Sequence, residues 1–174
     1  MSLSVVISGA IVLFTLFVAL SSFPVIAEST FGVSQGSVER SQIENQFIHT
    51  NLEIQSLSAN PNSQNITINL ENTGLVKLWD YEKFDIIVTY DAKITGKKVR
   101  TTEVLTYIEQ CPTSNGEWCI DSITNDNIDP DILNTNEIAV IEADLDYQVH
   151  PTNGIVIVSI TADNGVSITN SVEV

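Results

Sequence analysis

The chain has 174 residues, 22 of them acidic against 7 Lys and Arg, for a formal net charge of −15. A field of that sign repels phosphate backbones and anionic headgroups, which argues against nucleic-acid binding and against docking onto an acidic lipid surface. Every basic side chain lies between Arg40 and Arg100, and the stretch from Thr101 to Val174 carries 13 acids and no Lys or Arg, so the chain suits surroundings rich in cations.

The first element is apolar. As a helix rising about 1.5 Å per residue, Leu3 to Phe23 reaches roughly 31 Å, close to the ~30 Å hydrocarbon thickness of a bilayer. An export signal has a positively charged start and a shorter apolar core. No Lys or Arg precedes Leu3 here, and residues 1–27 therefore read as a retained transmembrane helix. Val25-Ile26-Ala27 leaves a processed signal as the alternative. The remaining 147 residues have the size of one domain with one core, leaving no room for a second enzyme-sized domain.

Residues 28–47 are polar, with Val38, Ile43 and Phe47 loosely spaced, and read as a stalk. Within it, Gly32 to Gly36 (GVSQG) matches the G-x-S-x-G elbow of serine hydrolases, but that elbow needs a strand before it, a helix after it and a parallel sheet beneath. None of these is indicated, and no catalytic residue is assigned.

From residue 48 the hydrophobic period changes to two. Leu52 and Ile54 alternate with Glu53 and Gln55, and Ile66, Ile68 and Leu70 alternate with Thr67, Asn69 and Glu71. With the Pro and Asn of ANPNSQ between them, residues 51–72 predict a hairpin. Further strands are predicted at Phe84–Tyr90, Val99–Ile108, Cys119–Ile123, Glu137–Leu145, Ile155–Thr161 and Val166–Val174, the last two joined by a turn at Asn164-Gly165. The fold class is all-β: an immunoglobulin-like β-sandwich of about seven or eight strands over residues 48–174, preceded by the one transmembrane helix.

Both cysteines lie in QCPTSNGEWC. A three-residue loop Ser114-Asn115-Gly116 with Gly116 left-handed would set Cys111 opposite Cys119 across a hairpin, at a Cα separation that admits a disulfide. Such bridges persist in oxidising compartments. With the sequon Asn65-Ile66-Thr67, a glycosylation candidate at Asn65, this argues that the acidic domain is external; the positive-inside bias is nearly silent, Arg40 being the nearest basic residue.

His49 and His150, the only histidines, read as strand-end or surface residues. Asp126, Asp129, Asp131 and Glu137 gather in NDNIDPDILNTNE and make a candidate calcium loop, although the register and central Gly of a helix–loop–helix calcium site are missing. No cofactor is expected. Lys97, Lys98 and Arg100 mark a defended sheet edge, whereas the Lys/Arg-free segment Ile155–Val174 is a candidate oligomer or partner surface.

Taken in order, SVVISGAIVLFTLFVA, VERSQIENQ, INLENTGLVKLWDYEKFDIIVTY, EWCIDSITNDNIDPDILNTNEIAVIEADL and GIVIVSITADNGVSITNSVEV resemble the archaeal flagellum (archaellum) accessory proteins F and G. The Ser-Gly-Ala opening and the VER stalk are more similar to F. The resemblance implies a non-enzymatic protein with one membrane helix and an external immunoglobulin-like domain between membrane and surface layer. That domain would bind the S-layer, form a homodimer, act with other archaellum proteins, and serve as a static anchor for the rotary motor. Archaellins and archaeal pilins carry a short charged leader before the apolar helix, and with no Lys or Arg before Leu3 assembly as a filament subunit is not the expectation. The alternatives are a pilin-like filament subunit and an exported calcium- or solute-binding domain.

Overall fold

The computed structural model describes residues 7–19, 41, 44–124, 126 and 129–174. Residues 7–19 form a helix, the described part of the apolar segment, and belong to a unit separate from the compact body Asn45–Val174. The ends of the expected span and residues 20–40, GVSQG among them, lie outside the described residues. Among the described residues no helix is long and apolar enough to cross a membrane.

The body is all-β. Eight strands follow a helical turn at residues 44–49: β1 (Leu52–Ala59), β2 (Asn65–Asn72), β3 (Asp85–Ile94), β4 (Lys97–Tyr107), β5 (Glu117–Thr124), β6 (Ile138–Asp144), β7 (Ile155–Thr161) and β8 (Ser167–Glu173), with a short 3-10 turn at Tyr81–Lys83. Hydrogen bonding orders them β1-β2-β6-β5-β4-β3-β7-β8. Two four-stranded halves, β1-β2-β6-β5 and β4-β3-β7-β8, meet where Thr106 pairs with Glu117 and Tyr107 with Trp118. The outermost strands β1 and β8 come side by side, and Asn170 Nδ2 donates to the Ile54 carbonyl at 3.2 Å.

Period-two patterning places the core. Ile66, Ile68 and Leu70 of β2 face inward with Ala139, Ile141 and Ala143 of β6, against Ile86, Val88 and Tyr90 of β3 and Val156, Val158 and Ile160 of β7. Each fully buried aliphatic side chain contributes roughly 1.5–3 kcal/mol relative to exposure. β4 buries only Leu105, and β8 has no fully buried residue. Strands of that kind belong at edges, and Lys97, Lys98 and Arg100 sit on the outer end of β4, where charge deters pairing with another chain.

One expectation is corrected. The segment between β4 and β5 is not a hairpin: the two strands run parallel and pair through two residues only. A parallel pair needs a crossover, and the chain here steps from one half of the sandwich to the other. Gly116 does take the left-handed φ of +77°, and the Glu117 amide closes a turn onto the Ser114 carbonyl at 3.0 Å.

Asp91 is 3% exposed in β3. Arg100 binds it with two hydrogen bonds, Nε to Oδ1 at 2.9 Å and Nη2 to Oδ2 at 3.1 Å, while Lys98 Nζ and the Ile155 amide each reach Oδ2 at 3.1 Å. The guanidinium foremost, then the amide and the ammonium, overcome burial and hold the carboxyl down at about 2. A carboxylate whose folded value is depressed contributes stability that is complete above its unfolded value near 4 and disappears as pH falls toward 2, here worth about 2 kcal/mol. Burial pushes Asp144 in the opposite direction, so the effect is isolated by comparison with Asp91→Asn. The expected result is a lower Tm for Asp91→Asn at pH 7 and a gap to wild type that closes between pH 4 and pH 2; a gap constant across that window would contradict it.

Candidate interaction surfaces

The residues singled out by sequence fall in different places. Cys111 and Cys119 are joined in a disulfide with Cα atoms 5.7 Å apart, tying the loop after β4 to the third residue of β5. They and Glu142 are the one trio of candidate metal ligands among the described residues, and both sulfurs are already bonded to each other. Asn65 opens β2 with its side chain exposed and its amide bonded to Ser63 Oγ at 3.1 Å.

Among the described residues the four acids of the candidate calcium loop form no cluster close enough to hold a metal ion. Asp129 pairs with Lys77. Asp126 Oδ2 accepts from the Asp131 amide at 2.9 Å, and Glu137 Oε2 accepts from the Asn134 amide at 2.8 Å. His49 is exposed, and its carbonyl accepts from the Leu75 amide at 2.8 Å; His150 Nδ1 accepts from the Thr152 amide at 3.2 Å. Neither ring joins a ligating cluster among the described residues.

Two surfaces stand out that sequence reading did not assemble. The first is the outer face of β4-β3-β7-β8. Register sets Val104, Ile87, Ser159 and Thr169 in one cross-strand row and Thr102, Thr89, Ile157 and Ser171 in the next. The hydroxyls bond to one another across strands, Thr89 to Thr102 and Ser159 to Thr169 at 2.9 Å each. Val104 is 66% exposed and Ile87 37%. These two rows contain no charge in a chain of net −15, and depletion of charge is a feature of the centre of a protein contact. Ile155 and Glu173 continue the face toward the Asp91 network.

The second is a cleft of about 400 Å³ on β5. Tyr107 packs on Trp118 with ring centroids 4.8 Å apart and lies 6.3 Å from Tyr81. Tyr81 is fixed by its hydroxyl, which donates to the Leu78 and Asp131 carbonyls at 3.1 and 3.2 Å and accepts from the Leu133 amide at 3.0 Å. Burial pushes the Tyr81 hydroxyl well above its usual range and raises Tyr107 as well, with nearby carboxylates adding to both. At Asp121 the ladder to β6 slips between Ile120 and Ser122, a bulge of the type that re-aims side chains beside sites. Sequence reading did not single out this cleft; a signal that could have pointed to it is Trp79, in the segment between β2 and β3 that no strand period claims.

The body is an immunoglobulin-like all-β domain with a buried charge network and two open surfaces. The conserved flagellar protein F immunoglobulin-like domain model matches residues 48–169, and the chain belongs to that family, an archaellum accessory protein and not an enzyme. No curated protein matches the chain. Among solved structures, the chain is similar to the archaellum periplasmic stator protein FlaG from Sulfolobus acidocaldarius, at 15% identity and TM-score 0.48 over 71% of this chain and 99% of that one. It is similar to the periplasmic stator complex of FlaF and FlaG from the same organism, at 15% identity and 0.49 over 70% and 87%. It is also similar to the archaeal flagellum of Methanospirillum hungatei strain JF1, at 17% identity and 0.62 over 95% and 90%, a shared fold across nearly both chains.

Proposed function

We propose that this archaellum component is anchored in the cell membrane by its N-terminal helix, exposes its β-sandwich outside the cell, and binds the S-layer as a static anchor for the rotary motor. Membership of the flagellar protein F family carries this reading. The described helix supports the anchor, with Leu13, Phe14 and Phe17 about seven-tenths exposed, and the disulfide suits an oxidising exterior. A rotating filament needs a fixed counterpart, and a helix in fluid lipid cannot supply one; a domain gripping a crystalline layer can. The uncharged rows around Ile87 and Val104 are the gripping face, and homodimerisation belongs to the same reading.

The test is co-sedimentation of the full-length chain, reconstituted in liposomes, with S-layer sheets of the organism that makes it. Binding is expected, and Thr102→Glu with Val104→Glu, both exposed, is expected to weaken it tenfold or more while leaving Tm nearly unchanged. Absence of co-sedimentation would overturn the S-layer role, and unaltered binding by the double variant would move the contact elsewhere. A filament subunit is the second reading, favoured by the fold shared with the Methanospirillum flagellum. Electron microscopy of the concentrated full-length protein separates the two, since only a subunit polymerises.

A further inference from the structure

The cleft on β5 has features that packing alone does not require. Trp79 stands 60% exposed at its rim, where its ring adds little to the core. The loop after β4 contributes Glu109 and Gln110 to the lining, tied to β5 by the Cys111–Cys119 bridge next in sequence. The bulge in β5 adds Asp121 and Ser122 to the lining, and Asp126 and Asp131 complete it. Asp126 Oδ1 is buried and has no hydrogen-bond partner, whereas its Oδ2 is taken by the Asp131 amide. Four carboxylates and three aromatic rings thus line one cleft, and among its described lining residues there is no Lys or Arg; Lys77 and Lys83, on the segment that carries Trp79, are paired with Asp129 and Asp80.

That combination has a definite chemical preference. Carboxylates without a basic neighbour exclude anions and draw cations, and an exposed indole offers a face to a cation or a flat polar group. A volume of about 400 Å³ falls in the range of sites that enclose a small group. The Tyr81 hydroxyl does not compete for it, since it is already hydrogen-bonded as donor and as acceptor.

We propose that this cleft receives one cationic side chain, a guanidinium or an ammonium, from a protein partner, stacked on Trp79 and flanked by Glu109, Asp121 and Asp131. It would give the acidic chain a directional contact separate from the uncharged face, fixing the orientation of whatever that face grips. The proposal deepens the partner-binding reading above and rests on it.

The experiment is calorimetric titration of the full-length protein in detergent with the blocked tripeptide acetyl-Gly-Arg-Gly-amide, against acetyl-Gly-Gln-Gly-amide and maltotetraose. Trp79 emission is followed in parallel, Trp118 being fully buried. Saturable, salt-sensitive binding of the arginyl peptide alone is expected. It should weaken at least tenfold in Glu109→Gln with Asp121→Asn and in Trp79→Ala, all exposed positions whose Tm should stay within a few degrees of wild type. If a variant does unfold, Trp79→Phe, which keeps an aromatic face, should retain most of the binding. Equal binding of the arginyl and glutaminyl peptides, indifference of the double variant, or saturation by maltotetraose in place of the peptide would each overturn the assignment. These outcomes are distinct from failure of the S-layer reading: variants that lose the peptide are assayed by the same co-sedimentation, and a cleft that binds nothing in a chain that still sediments refutes only the cleft.

Discussion

Gly74→Ala is expected to be among the most damaging single substitutions in the domain, lowering stability by about 3 kcal/mol or more. A Cβ at this position would lie 2.4 Å from the Asn51 amide nitrogen and 2.6 Å from the His49 carbonyl oxygen. Both are backbone atoms, so no rotamer change relieves the overlap. The same turn closes several bonds: the Thr73 and Gly74 amides donate to the Asn51 carbonyl at 3.0 and 2.9 Å, and the Leu75 amide to the His49 carbonyl at 2.8 Å. Behind it Asn72, fully buried, donates to the Val76 and Leu133 carbonyls at 2.8 and 3.0 Å and accepts from the Gly74 amide at 3.0 Å. Moving the turn therefore unsatisfies buried groups as well as creating a clash. Urea melts followed by circular dichroism check this, with Thr73→Ala, next to the turn but half-exposed, as the mild comparison; equal midpoints for Gly74→Ala and wild type would refute it.

Trp118→Ala is expected to cost about 3–5 kcal/mol, the usual range for removing a fully buried large aromatic side chain. Trp118 is 0% exposed, at the junction where β4 meets β5, and it supports Tyr107. Its Nε1 is buried without a hydrogen-bond partner. Most of its contribution is therefore packing, and Trp118→Phe, which retains a ring and removes the orphan donor, should cost markedly less than Trp118→Ala. Thermal melts of the two variants decide the matter. Equal losses would refute this reading, since they would mean that a retained aromatic ring restores none of the packing.

Much of the fold was legible because a β-strand buried on one face writes its orientation into alternate residues. Ile66, Ile68 and Leu70 announce β2, and β7 is found at Ile155–Thr161, where the apolar run places it. The turn at Thr95-Gly96 and the lysines after it mark the outer end of β4 in the same way. Alternation gives inside and outside but not which strand is the neighbour. QCPTSNGEWC satisfies the local geometry of a hairpin, and the bridge between its cysteines is compatible with a hairpin or a crossover alike. Only the long-range pairing of β5 with β6, from Glu117 with Asp144 to Thr124 with Ile138, shows that the chain has changed sheets.

The candidate surfaces were less legible for a related reason. The cleft draws on Trp79 and Tyr81, on Tyr107 to Gln110, on Ile120 to Ile123, and on Asp126 and Asp131, four stretches brought together by the crossover and by a one-residue slip in β5. The outer face needs the registers of three strand pairs before its uncharged rows can be seen. The acidic run from Asn125 to Glu137 looked like a unit because its members are neighbours in sequence. In the structure Glu137 caps its own turn and Asp129 answers Lys77.

The clasp at Gly74 also determines how the domain takes a pull. The chain enters β1 directly after His49 and Asn51, whose carbonyls hold the turn at Thr73 to Leu75, and β1 then lies antiparallel along β2 from Leu52–Asn72 to Ala59–Ile66. Tension arriving from the N-terminal side along the axis of β1 drags that strand lengthwise past its neighbour, so the rungs share the strain in shear and cannot open one after another like a zipper. A pull delivered through this entry point along β1 meets the ladder in its most resistant direction, with the clasp as the first link to give way.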